Sequence, residues 1–295
     1  MESEKQKQWL AQRFEENRGH LRAVAYRMLA SASEADDAVQ ETWLRLSRSD
    51  ARTIENLGGW LTTVVSRVCL DVLRSRTAKR EEALERGATE PIAISRQADP
   101  EQETLLADSV GFALLIVLDR LDPAERLAFV LHDMFDLPFE EIAGIVGRSA
   151  EAARQLASRA RRRVRGGETV AGEAMPRQRR AVEAFMAAVR GGDLQGLMAL
   201  LDPECTVRAD ETAAPGMPGE LRGAETLAKY ALRAGQGAKV ARVALVDGEP
   251  GIVVAPKGRL VRVLRFTIAG EKIAAVEVIG DPDRLRELEV AVMSD

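Results

Sequence analysis

The chain has 295 residues, 46% hydrophobic and 30% charged, with a formal net charge of −4. That length accommodates two or three domains, and aromatic residues at 4% leave the cores to Leu, Val, Ile and Ala. The totals argue against a disulfide scaffold, a metal cluster and a membrane span: only Cys69 and Cys205 occur, far apart, and no apolar run approaches ~20 residues. The polar N-terminus does not read as a signal peptide, so a cytoplasmic, unanchored protein without cofactor or metal is expected.

Residues 9–77 read as the first helical domain. In "HLRAVAYRMLA", Leu21, Val24, Ala25, Met28 and Leu29 form one apolar stripe. Ser33 stands where a helix N-cap is expected, with acids in the following turn. That helix continues through Ala38, Val39, Thr42, Trp43 and Leu46. A third helix follows Gly58-Gly59 and turns Leu61, Val64, Val65, Val68 and Val72 inward. Residues 78–108 are charged and interrupted by Gly87, Pro91 and Pro100, and read as a linker that is partly helical at its start.

Residues 109–165 are the second helical domain. Asp122 before Pro123 is a matched helix start. Gly147 ends the next helix, and Ser149 caps the one after. This last stretch, "RSAEAARQLASRARRRVR", carries seven arginines in eighteen positions beside one acid, Glu151. Small residues on one face pack it against "FEEIAGIVG", a helix-turn-helix arrangement. The opposite face presents Arg148, Ser149, Glu151, Arg154, Gln155, Ser158 and Arg159. Arg and Gln make bidentate contacts to guanine and adenine edges in the major groove. Arg161, Arg162, Arg163 and Arg165 follow as phosphate partners. DNA binding is the function implied, and an acidic chain can bind DNA when its cations gather locally. Repressors, activators and initiation factors share the motif.

Residues 166–176 form a small-residue connector. Residues 177–295 read as an α+β domain. Two helices break at Gly191-Gly192. Four antiparallel strands follow in "KVARVALVDG", "GIVVAP", "RLVRVLRFTIAG" and "KIAAVEVIG", and "DPDRLRELEV" is a final short helix.

Two blocks in order, "AYRMLASASEADDAVQETWLRL … GGWLTTVVSRVCLDVLRSR" and "LDRLDPAERLAFVLHDMFDLPFEEIAGIVGRSAEAARQLASRARRRV", resemble regions two and four of extracytoplasmic-function (ECF) sigma factors of bacterial RNA polymerase. The resemblance covers about residues 9–165 and implies promoter-specific transcription initiation without enzymatic activity. By it, Asp36, Asp37, Gln40, Glu41 and Trp43 dock on the polymerase core, β′ above all. Asn56, Trp60, Thr63, Ser66, Arg67, Asp71 and Arg74 meet the minus-ten element, and the region-four helix reads the minus-thirty-five element. The partners implied are the core β′ and β subunits and promoter DNA.

The last block resembles SnoaL-like domains of the nuclear-transport-factor-two-like superfamily, which fold as a cone around a pocket open to a small-molecule ligand. The expected architecture is thus two all-α sigma domains plus a cone-shaped α+β domain. A sigma-factor group with such extensions implies control in cis, through Glu90 and Pro91 of the linker, Asp210, and Asp281-Pro282-Asp283-Arg284-Leu285. The chain departs from that group elsewhere in the linker motif and at residues 209–213. Two other readings stand beside this one. One is a helix-turn-helix repressor with a ligand-sensing C-terminus. The other makes the C-terminal domain an enzyme, with Asp210, Glu211, Asp247 or Glu277 as base.

Overall fold

The computed structural model describes residues 2–50, 54–85, 111–165, 175–216, 219–235 and 240–293. Glu90 and Pro91 lie outside them. The described residues fall into two compact units, one from Met1–Gly111 with Leu118–Arg161 and one from Phe112–Val117 with Arg162–Asp295. Phe112–Val117, the start of the second helical block in the sequence, thus belongs to the C-terminal unit.

The first unit is helical. Its long elements are α1 (Glu2–Leu29), α2 (Ala32–Arg48) and α3 (Leu57–Glu85). The apolar stripe of α1 is wholly inside: Leu21, Val24, Ala25 and Met28 are each 0% exposed. They meet Ala35, Ala38, Val39 and Leu46 of α2 and Leu61, Val65 and Cys69 of α3, all buried. The N-cap of α2 is Ser31 rather than Ser33: Ser31 Oγ accepts the Glu34 N–H at 3.4 Å. The start of α3 comes before the glycine pair, because Asn56 Oδ1 accepts the Gly59 N–H at 3.0 Å and caps the helix there. Val72 is half-buried and Leu73 takes the inward position instead.

Four shorter helices follow: α4 (Phe112–Asp119), α5 (Pro123–Phe129, extended by a π turn over Val130–Met134), α6 (Phe139–Val146) and α7 (Ala150–Arg165). Asp122 caps α5 by accepting the Ala124 N–H at 2.8 Å, with Pro123 in the first turn. Gly147 takes φ 71° after α6, where a side chain would be strained. Ser149 Oγ accepts the Ala152 N–H and caps α7.

The second unit adds α8 (Met175–Gly191), α9 (Leu194–Leu200), β1 (Leu201–Ala209), β2 (Glu220–Arg222) and α10 (Ala224–Ala234). Then come β3 (Ala241–Val246), β4 (Glu249–Val254), β5 (Arg262–Ala269), β6 (Lys272–Ile279), α11 (Pro282–Glu287) and β7 (Val290–Ala291). The sheet order is β2-β1-β6-β5-β4-β3-β7. The four expected strands are present and antiparallel to one another, but the sheet is larger than expected, and β1 pairs with β6 in parallel.

Strand alternation divides the sheet's two faces. On one, Val207, Ile252, Phe266 and Val276 pack on Val182, Phe185 and Met186 of α8 and on Leu227 of α10. On the other, Ala244, Val253, Val263 and Ile279 pack on Ile116 and Val117 of α4 and on Leu285 and Leu288.

Candidate nucleic-acid interface

The helix-turn-helix forms because two faces fit. Ile142, Ala143, Ile145 and Val146 of α6 are buried, as are Ala153, Leu156, Ala157 and Ala160 of α7. Four alanines in that set let the helices approach closely. The opposite face of α7 is open: Glu151, Arg154, Gln155, Ser158 and Arg162 are exposed, spaced three and four apart as one helical stripe. Arg148 and Ser149 are exposed just before it. Arg154 stands beside Glu151 at 3.1 Å and Glu140 at 3.7 Å, and its guanidinium lies 5.3 Å from the Phe139 ring centre. These contacts are at the surface, so Arg154 can exchange them for a base edge at little cost.

The arginines of α7 divide into two kinds. Arg159 Nε donates to Glu125 Oε1 at 2.7 Å, and Glu125 is only 5% exposed. Arg161 Nε donates to Asp133 at 2.5 Å. Both arginines flank the buried stripe, at i+3 from Leu156 and i+4 from Ala157, and both are tied into their own unit. Their guanidinium groups therefore face away from the open stripe on which Arg159 was expected.

The region-two residues are more scattered. Asp37 and Gln40 are exposed, and Glu41 pairs with Arg45 at 2.9 Å. Asp36 pairs with Arg22 at 2.7 Å. Leu44, one turn beyond Gln40 and Glu41, is an exposed apolar residue that continues this face. Trp43 is half-buried, its ring 5.1 Å from that of Phe14, so it serves the core at least in part. On α3, Asp71 and Arg74 are exposed and Trp60 and Thr63 half-buried. Arg67 is exposed but donates to the Gly144 carbonyl at 3.0 Å. Asn56 is occupied as a helix cap. Ser66 is 0% exposed and offers no surface to DNA in this conformation.

Arg126 was not singled out in the sequence, and nothing local marks it. It is 1% exposed. Its Nε and Nη2 donate to the Arg27 carbonyl at 3.2 and 3.1 Å, and Asp119 stands 3.5 Å away. Burial pulls its pKa down to about 10, with Asp119 opposing, so it is still a cation at neutral pH. It satisfies a carbonyl in the last turn of α1, an end that favours positive charge.

In the C-terminal unit, two motif positions are joined. Asp210 Oδ2 accepts the N–H groups of Gly280 and Asp281 at 2.9 and 3.0 Å, and Oδ1 accepts that of Ala213 at 2.8 Å. Burial pulls the Asp210 pKa up, but these bonds and Arg284 outweigh it, leaving the carboxyl below its ordinary value. Gly280 can be nothing larger, since a Cβ there would sit 2.7 Å from the Ala213 backbone. Asp281 caps α11 by accepting from Asp283 and Arg284, Pro282 follows in the first turn, and Asp283 pairs with Arg286. Arg284 pairs with Glu277 at 2.5 Å, and Leu285 is buried. Glu211 Oε1 accepts the Gly216 N–H, and Asp247 Oδ1 that of Glu289.

Among the described residues there is no group of three or more His, Cys, Asp or Glu placed to hold a metal ion, and no helix long and apolar enough to cross a membrane.

The Sigma-70 region 2 model matches residues 13–79, and the Sigma-70 region 4 model matches residues 112–164. The chain is 38% identical over 286 residues to the ECF RNA polymerase sigma factor SigJ of Mycobacterium tuberculosis, covering 92% of this chain and 91% of that one. It is 35% identical over 274 residues to a probable ECF RNA polymerase sigma factor of the same organism, SigI, covering 92% and 93%. Among solved structures it is similar to the crystal structure of M. tuberculosis SigJ, with TM-score 0.44 and 33% identity over 93% of this chain and 98% of that one. An NTF2-like protein from Burkholderia xenovorans aligns with 36% of this chain and 91% of its own, at TM-score 0.25 and 19% identity. Its extent and level of identity with SigJ, together with both sigma-70 regions in order, place the chain in the ECF sigma factor family of bacterial RNA polymerase.

Proposed function

We propose that α7 reads the minus-thirty-five element of promoters for this sigma factor, and that Arg154 and Gln155 are its base readers. The observation that carries this is the open polar stripe of α7, backed by a close-packed alanine face. Arg148, Ser149, Glu151 and Ser158 complete the reading surface, with Arg162 turned toward phosphates. Asp37, Gln40, Glu41 and Leu44 form the docking face for the polymerase core, with Asp36 and Trp43 behind it. Trp60, Thr63, Arg67, Asp71 and Arg74 meet the minus-ten element, and Arg67 must first release the Gly144 carbonyl. The chain acts in the cytoplasm, where polymerase and DNA are.

We infer no catalytic role for the C-terminal unit. A general base needs a pKa raised toward neutrality, whereas Asp210 is pulled the other way. Its role is to control initiation in cis, with Asp210 and residues 281–285 holding the element that does so.

The test is in vitro transcription with purified core polymerase on a promoter library. Arg154→Ala is expected to lower output from one promoter class by the ~1–3 kcal/mol of a bidentate base contact, or roughly fivefold to 150-fold. Removing residues 170–295 is expected to change the promoter profile. If core polymerase and this chain together give no promoter-dependent RNA, the reading is wrong.

A further inference from the structure

The C-terminal unit holds a half-open cavity of about 280 Å³ between α8, α10 and the sheet face they cover, near the lower end of ligand pockets. Phe185, Met186, Leu227, Ile252, Leu264 and Val276 are representative of its wall, and among the described residues the polar ones lining it are Tyr230 and Arg262. An arginine here breaks the strand's own pattern. On β5, Arg262, Leu264 and Phe266 alternate onto the cavity side, while Val263 packs on the other face. The guanidinium thus stands where the fold calls for an apolar side chain. Its Nε is buried and has no acceptor among the described residues. Buried donors are ordinarily paired, and an unpaired one calls for an explanation.

Two further arginines share one carbonyl at this end of the sheet. The strand register sets Ala241, Val254 and Arg262 abreast on β3, β4 and β5. The Ala241 carbonyl accepts from both Arg190 Nη2, at 2.7 Å, and Arg242 Nη1, at 2.9 Å. Two guanidinium groups therefore meet at the Ala241 carbonyl, whose backbone lies roughly two strand spacings, or about 10 Å, from that of Arg262.

We propose that this cavity binds an apolar monocarboxylate, with the Arg262 guanidinium pairing the carboxylate and the hydrocarbon part filling the aliphatic chamber. A planar guanidinium matches a carboxylate's two oxygens. An uncharged apolar ligand would leave Nε unpaired, and a cationic one would be repelled. Counting about 30 Å³ per water-sized group, the cavity takes roughly nine or ten such groups, so the ligand is a medium-chain or compact ring acid. The assignment is independent of promoter recognition, because it is a statement about binding.

The experiment is calorimetric titration of the full chain with decanoate and with decan-1-ol, both below their aggregation limits. The intact protein is expected to bind decanoate at least tenfold more tightly than the alcohol. Arg262→Met keeps the apolar stem and removes the charge; it is expected to abolish the head-group preference while alcohol binding persists. Ala231→Phe, which fills the chamber, is expected to weaken both ligands. Equal affinity for acid and alcohol in the intact protein, or binding of neither, overturns the proposal. So does an undiminished preference in Arg262→Met. The head-group comparison on the unsubstituted chain decides the matter even if a variant fails to fold.

Discussion

Asp210 offers the sharpest test of how the C-terminal unit holds together. Its carboxylate takes three backbone N–H groups, but they do not depend on it equally. The Ala213 N–H has a second acceptor, the Asp210 carbonyl, at 3.1 Å. Those of Gly280 and Asp281 rely on Oδ2. Asp210→Ala therefore strands two donors at the turn between β6 and α11. Each costs about 1.5 kcal/mol when left unmet, for a loss of about 3 kcal/mol. At roughly 3 °C per kcal/mol for a unit of this size, the melting midpoint falls by about 10 °C. Asp210→Asn keeps one oxygen and the side chain's volume, and is expected to lose about half as much. The pH dependence has a defined sign. The native pKa lies below the ordinary 3.8, so the carboxylate's contribution is present above about pH 4. It is lost as pH falls through the native value, where the unsubstituted chain and Asp210→Asn converge. Hydrogen exchange of the full chain, followed at residues 211–216 and 280–281, isolates the effect. Tryptophan fluorescence cannot stand in for it, because Trp9, Trp43 and Trp60 all belong to the helical unit. Unchanged protection at Gly280 and Asp281 in Asp210→Ala, with a midpoint within 1 °C, refutes this account.

Two further outcomes are expected. Arg159→Ala removes the Arg159 pair from buried Glu125 and should destabilise the helical unit by about 1–2 kcal/mol, discounted because Arg159 is 42% exposed; denaturant unfolding followed by tryptophan fluorescence checks it, and restored stability in Arg159→Ala with Glu125→Gln confirms the pair as the cause. Burial pushes the Cys69 thiol up to about 12 and the Cys205 thiol upward as well, so both should resist alkylation at pH 8 in the native chain and react in urea; mass spectrometry showing native Cys69 labelling at the rate of a free thiol would contradict this.

The helical architecture was legible because its signals are local. Asp122-Pro123, Gly147 and Ser149 act within one turn of themselves, and each does in the structure what its residue type implies. The errors came where two residues could do one job or where the partner is remote. Ser31 and Ser33 are both capping residues, and only the backbone path selects between them. Ser66 is expected from the resemblance to meet the minus-ten element, yet Thr62, Ser66, Cys69 and Leu73 form one inward row on α3, all under 9% exposed. A small hydroxyl can lie in such a row unseen by a count of apolar residues. Strand β1 was missed because "LDPECTVRA" does not alternate: its register to β6 shifts between Leu201 and Thr206, and Pro203 lies in that irregular stretch. Its parallel partner lies some seventy residues on, and no local pattern encodes that pairing.

The same distinction bears on the arginine-rich helix. Counting cations along 148–165 gives a single basic segment, but burial sorts them by their angle on α7. Positions next to Leu156 and Ala157 reach acids from neighbouring helices, so Arg159 neutralises Glu125 and Arg161 neutralises Asp133. Positions opposite the alanine face meet only solvent or surface acids, as Arg154 does. The first group contributes little field outside the protein, because its charge is matched within 3 Å. The second keeps its donors available at the cost of weak, exchangeable pairs. Replacing Arg154 should therefore alter which promoters are used at nearly constant fold stability, and replacing Arg159 should lower stability while leaving promoter choice intact. Two arginines five residues apart, alike in composition, thus carry separable roles because the helix turns one toward the core and the other away from it.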